Sequence, residues 1–193
     1  MISRTKQKKV KKTSRSATKT RGVIVVRRVP GPAHRAILAF GPLRFRAAIG
    51  RNGITAFKRE GDGRTPIASM ALLYGYRDPR HRQGWPHSGL RIMATKADDG
   101  WCDAPASPNY NRPVRLPFAA SHERLQRDDG IYDLVIVMDW NMRSRARNRG
   151  SAVFFHLARP DFSPTAGCVA IAPEAMRVLL PHLRAGTPLR VMG

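Results

Sequence analysis

Cysteine and acid are both scarce in this chain. Of 193 residues only two are cysteine, Cys102 and Cys168, and 13 are Asp or Glu against 35 Lys or Arg. Two cysteines can make one bridge but not the framework that staples a small secreted domain. Cys-x-x-Cys and His-x-x-x-His spacings are missing too, which argues against a structural zinc site and leaves no metal to expect. Long hydrophobic runs are also lacking. The nearest candidate after the basic start is "GVIVV" (22–26), cut short by Arg27 and Arg28. A secretory signal needs roughly 7–15 apolar residues and a spanning helix roughly 18. Neither a clear signal peptide nor a transmembrane segment is therefore expected.

The shortage of acid leaves a formal net charge of +22. Such a surface attracts polyanions, whether nucleic acid, anionic lipid or an acidic wall polymer. Residues 1–22 carry nine Lys or Arg and no acid, which leaves +13 on the rest. With almost no apolar side chains this segment cannot bury enough surface to offset its own ordering, so it reads as a disordered basic arm. Residues 23–193 then form one domain, long enough for a real core.

Within that domain strands dominate. "GVIVVRRV" (22–29) is β-branched, and in "LRFRAAI" Leu43, Phe45 and Ala47 alternate with Arg44 and Arg46, the period of a half-buried strand. "YDLVIVMDW" (132–140), "SAVFFHLA" (151–158), "GCVAIA" (167–172) and "TPLRVM" (187–192) add further strands. "PEAMRVLLPHL" (173–183) reads as a helix with Pro173 in its first turn and Glu174 beside it. The stretch 77–118 has no sustained period and reads as an ordered loop region, and "AASHERLQR" (119–127) as a short helix. The class is mainly β, with a short helix after Cys168.

His156 and Cys168 lie twelve positions apart on consecutive strands. If these return antiparallel, a thiol and an imidazole on one face can meet. An imidazole that takes the thiol proton makes a nucleophile for acyl transfer, and backbone N–H groups around Gly167 and Cys168 can hold an oxyanion. The plainer alternative is a buried cysteine in an apolar strand.

"HLARPDFSPTAGCVAI" (156–171), with "GDGRTPIAS" (61–69) upstream, resembles the YkuD-type L,D-transpeptidase catalytic domain. His156, Thr165, Gly167 and Cys168 match that family's signature, and "TPIAS" matches its Thr-Pro-x-Gly element with Ala68 in place of glycine. The likeness covers about residues 23–193 and is closest to a subgroup with Thr-x-Gly-Cys-Val-Ala, whose sequences "DDGWCD", "YNRPVRLP" and "ASHERL" also resemble. Three departures stand out: Ala166 replaces a second histidine that serves the oxyanion site, Ala170 replaces a polar residue, and the spacer after His156 is short.

The resemblance implies a β-sandwich or barrel-like catalytic domain acting on peptidoglycan stem peptides in the cell envelope or periplasm, without a cofactor. Cys168 is then the nucleophile and His156 the general base, with Gly167 and Thr165 at the oxyanion or orienting positions. Arg159, His122, Trp101 and Tyr110 are weaker candidates for substrate contact, each with a solvated or packing role as the alternative. Glu60 and Asp62 are assigned to the turn around Gly61 and Gly63, and Cys102 to structure or a disulfide with Cys168. The arm can meet an anionic wall polymer or membrane surface. Nucleic acid ranks lower as a partner, since no recognition motif or stacking aromatics accompany the charge. The rival overall is a non-catalytic wall- or polyanion-binding protein.

Overall fold

The computed structural model describes residues 22–81 and 84–193. Of the basic arm expected over 1–22, all but Gly22 lies outside the described residues. In chain order the strands are β1 (Ile24–Arg28), β2 (Arg35–Phe40), β3 (Leu43–Ala48), β4 (Ile54–Thr55), β5 (Thr65–Pro66), β6 (Ser69–Arg77) and β7 (Ile92–Ala94). There follow β8 (Asp99–Cys102), β9 (Arg112–Arg115), β10 (His122–Arg124), β11 (Leu134–Met138), β12 (Phe154–Leu157) and β13 (Val169–Ile171). The helix α1 (Pro173–Leu179), a 3-10 turn (Leu180–His182) and β14 (Pro188–Met192) complete the chain. The mainly β architecture with one short helix after Cys168 is thus as expected.

Eight strands close on themselves in the order β11-β12-β13-β3-β2-β1-β14-β6, with β6 returning to β11 and β7 attached outside the ring. Closure removes the free edges of the main wall. The sequence explains which strands carry a second layer. β1 and β2 bury alternate residues, Ile24 and Val26 on one and Ala36 and Leu38 on the other. β11 is buried at all five positions: Leu134, Ile136 and Met138 enter the barrel interior, while Val135 and Val137 face a second cluster outside it. A continuous apolar run is what a strand packed on both faces requires.

β10, β8 and β9 form a separate three-stranded sheet that brings Trp101 to that second cluster. Trp101 is fully buried, and its ring meets Phe154 edge-on at 5.1 Å. Pro173 and Glu174 open α1 as read, and Met176 and Leu179 join the interior cluster.

Two local expectations are corrected. Residues 119–127 are not helical: His122–Arg124 is a strand paired with β8, His122 opposite Cys102. Leu125 is the one side chain of that segment driven into the core, and a single anchor makes no helical face. The stretch 77–118, read as loop, holds β7, β8 and β9, strands too short and too charged to show a period. More consequentially, β12 and β13 run parallel, with His156 opposite Ala170. The connecting segment doubles back alongside the residues that follow β3, where Thr165 N–H donates to the Ile49 carbonyl at 3.0 Å and Arg51 N–H to the Thr165 carbonyl at 2.9 Å.

Candidate active site

Cys168 sits immediately before β13 with its side chain on the outer face of the barrel, in the cluster that holds Ala152 and Phe154. Two threonine hydroxyls anchor its backbone. Thr165 Oγ1 donates to the Cys168 carbonyl at 2.7 Å and accepts from Gly167 N–H at 3.1 Å. Thr65 Oγ1 reaches the same carbonyl at 3.4 Å while accepting Gly50 N–H at 2.9 Å. The "TPIAS" and "PTAGCVA" segments, about a hundred residues apart in sequence, therefore meet at one peptide group.

Gly167 is required by space and by conformation. Its φ is +145°, and a Cβ there would lie 2.9 Å from the Arg64 carbonyl oxygen. Its N–H, expected to help hold an oxyanion, is instead engaged by Thr165.

The thiol has two backbone partners. Phe154 N–H donates to Sγ at 3.3 Å, and the S–H donates to the Ala152 carbonyl at 3.2 Å. Ala152 adopts φ +49°, a left-handed conformation uncommon for a residue with a Cβ. Its N–H is held at 3.1 Å by Asn111 Oδ1, which also accepts Trp101 Nε1–H at 3.0 Å. Asn111 Nδ2 in turn donates to the Trp140 carbonyl at 3.1 Å. This buried amide, unnoticed in the sequence, thus fixes the carbonyl to which the thiol points.

A cleft of about 170 Å³ opens beside Cys168, lined by Arg51, Lys58, Glu60, Asp103 and Glu123. None of these five was singled out for a site from sequence, and Glu60 is corrected here. It accepts hydrogen bonds from Tyr110 Oη and, at 2.8 Å, from Ser151 Oγ, rather than serving the turn. Asp62 does serve it, accepting Arg59 N–H and Arg64 N–H at 2.8 Å each and pairing with Lys58 at 2.5 Å. Only the fold could reveal the cleft-lining charges, because they come from four separate segments.

Burial pushes the Cys168 thiol up to about 12, and the Glu123 carboxylate adds to the rise; Phe154 N–H and Lys58 pull the other way. At neutral pH the thiol is then protonated.

His156 is placed differently from expectation. Because β12 and β13 are parallel, Phe154 stands beside Cys168, and His156 lies one pleat repeat further along the same face, roughly 8 Å between Cα atoms by strand geometry. Among the described residues no hydrogen bond joins the two side chains. The ring packs edge-on against Tyr132 at 5.2 Å, and Nδ1 lies 2.8 Å from the Leu157 carbonyl. A carbonyl can only accept, so Nδ1 carries the proton and Nε2 is the basic nitrogen. Burial depresses this histidine to about 4; the Leu157 carbonyl opposes that, and Arg127 and Arg159 reinforce it. It is neutral at pH 7.

The remaining candidates do not line the Cys168 cleft, apart from Gly167. Arg159 pairs with Asp129 at 2.9 Å and borders a separate hollow of about 410 Å³. His122 lies on β10 with Nδ1 2.8 Å from the Ala120 carbonyl. Trp101 and Tyr110 are buried packing residues, the latter bonded to Glu60 and Ser151, which line the cleft. Cys102 and Cys168 are both free thiols. Asp78, His81 and Asp133 approach within 4.8 Å of one another, but Arg80 already occupies both oxygens of Asp78.

The family model of the YkuD L,D-transpeptidase catalytic domain matches residues 40–191. The chain belongs to the YkuD family. The matched span takes in every YkuD residue described above, from the Thr65 turn to β13. No curated protein matches the chain. Among solved structures it is similar to Mycobacterium tuberculosis L,D-transpeptidase 1, at 15% identity and a TM-score of 0.39, over 89% of this chain and 62% of that one. The YkuD chain therefore spans less than two thirds of that structure's length.

Proposed function

We propose that this protein is a cysteine-dependent acyl transferase of the YkuD family acting on peptidoglycan stem peptides in the cell envelope. What supports this most is the placement of Cys168: a thiol held by two motif threonines through its own carbonyl, bordering a charged cleft. In this reading Sγ attacks the carbonyl carbon of the donor peptide bond, the C–N bond breaks, and a thioester forms. An amine from a second stem peptide, or water, then releases the acyl group. His156 Nε2 receives the thiol proton and returns it to the departing amine. Its Nδ1–H to Leu157 sets the tautomer this role needs. The Cys168 S–H has to leave the Ala152 carbonyl and turn toward Nε2 for this transfer, while Nδ1–H stays on Leu157.

The second reading is a non-catalytic wall- or polyanion-binding domain, with the basic segment 1–22 as contact. It draws on the protonated thiol and on the lack of a Cys168–His156 hydrogen bond. Intact-protein mass spectrometry with a disaccharide-tetrapeptide, alongside Cys168→Ala, separates the two. Expected with Cys168 alone is an acyl adduct, a crosslinked dimer or a trimmed tripeptide. A tetrapeptide returned unchanged by folded, reduced protein supports the binding reading instead.

A further inference from the structure

The tetrahedral intermediate of any acyl transfer at Cys168 carries an oxyanion, and stabilising it usually takes two donors. Here Ala166 offers no side-chain donor, and Gly167 N–H is engaged by Thr165 at 3.1 Å. A buried cation stands nearby. Lys58 has 4% of its side chain exposed and lines the Cys168 cleft. Its Nζ lies 3.6 Å from where a Cβ on Gly167 would be.

Two bonds hold that ammonium: one to the Arg59 carbonyl at 2.8 Å and one to Asp62 at 2.5 Å. An ammonium has three donors, and the third has no partner among the described residues. The lysine is also seated by shape. A Cβ on Gly150, itself at φ +88°, would lie 3.0 Å from Lys58 Cγ and Cε, so the stem is closely packed there. Because the stem is buried, the spare N–H is preorganised and costs little to aim.

We propose that Lys58 is a catalytic residue, donating the hydrogen bond that stabilises the oxyanion on the acyl group attached to Cys168. This rests on the acyl-transfer reading above. In the step concerned, the C–S bond forms as the carbonyl π pair moves onto oxygen, and Lys58 Nζ–H donates to that oxygen without releasing its proton. Collapse restores the carbonyl as the C–N bond breaks, and the leaving nitrogen takes the proton first removed from the thiol.

The test compares wild type with Lys58→Met and Lys58→Arg in two reactions of Cys168. The first is acylation by a disaccharide-tetrapeptide, followed by mass; the second is alkylation by iodoacetamide, a displacement that builds no oxyanion. Lys58→Met is expected to lower the acylation rate constant roughly 10²–10³-fold at little change in KM, with alkylation per thiolate, read from its pH–rate profile, within about threefold of wild type. Lys58→Arg should recover at least tenfold of that loss. Should Lys58→Met fail to fold, Lys58→Gln takes its place, with a smaller loss in acylation alone. Equal losses in both reactions, or no loss in acylation, overturn the proposal. Absence of wild-type acylation would instead remove the reading beneath it.

Discussion

The Ala152 carbonyl accepts the Cys168 S–H at 3.2 Å, and Ala152 itself is held in a left-handed conformation by Asn111. The thiol is thus parked on a carbonyl whose direction is set by a side chain on the far strand region. Removing that support has measurable consequences.

Asn111→Ala takes one acceptor from both Trp101 Nε1–H and Ala152 N–H, deep in the protein. Each stranded donor costs about 1–3 kcal/mol, so a loss of about 2–6 kcal/mol is expected in urea unfolding. Cys168 alkylation should rise at the same time, because the carbonyl that holds its proton is released. A destabilised protein with unchanged thiol reactivity would show that Asn111 only supports the fold.

The buried histidine makes stability depend on acid in a calculable way. Folded His156 titrates near 4, against 6.5 for the free side chain. Below about pH 6.5 the unfolded chain takes up a proton that the folded chain refuses, so stability falls as pH drops toward 4. The full effect is about 3 kcal/mol. Denaturation at pH 7 and pH 4.5 should show His156→Gln losing about 2 kcal/mol less than wild type between the two conditions. Parallel losses would mean that the ring is protonated in the folded state.

The thiol imposes the opposite limit. Its folded value of about 12 lies above the 9.0 of a free thiol. Above about pH 9 the unfolded chain therefore releases a proton that the folded chain retains, and stability declines with rising pH. Cys168→Ala should flatten that alkaline limb in thermal melts from pH 8 to 11, and an unchanged limb would contradict the burial of the thiol.

Gly167→Ala should fail on two counts. Its backbone lies at φ +145°, and the new methyl would meet the Arg64 carbonyl at 2.9 Å. A cost of about 1–3 kcal/mol is expected, with acylation falling further than stability as the Cys168 peptide shifts. A melting curve beside the acylation rate checks both.

Much of this arrangement is legible in the residues. The apolar run at 134–138 reads as a central strand because it is packed on both faces, and Pro173 with Glu174 marks the helix start. The Thr-Ala-Gly-Cys segment points to the thiol. Strand direction is not legible: the connection from Ala158 to Gly167 is short enough for a hairpin, yet it doubles back along residues 49–51 to give parallel pairing. The cleft charges escape for a related reason. Lys58, Asp103 and Glu123 belong to segments whose short strands and turns lack any apolar period, and only the β4–β5 loop and the three-stranded sheet laid against the barrel bring them to Cys168.

The barrel wall has two faces with separate duties. Phe155, Leu157, Val169 and Ile171 point inward and fill the interior, while Phe154, Cys168 and Ala170 on the same strands point outward. Foldedness and reactivity are thus written on alternate residues of one ribbon. The three-stranded sheet over the outer face ties the two together, since Trp101 packs on Phe154 there and shares Asn111 with the backbone that holds the thiol.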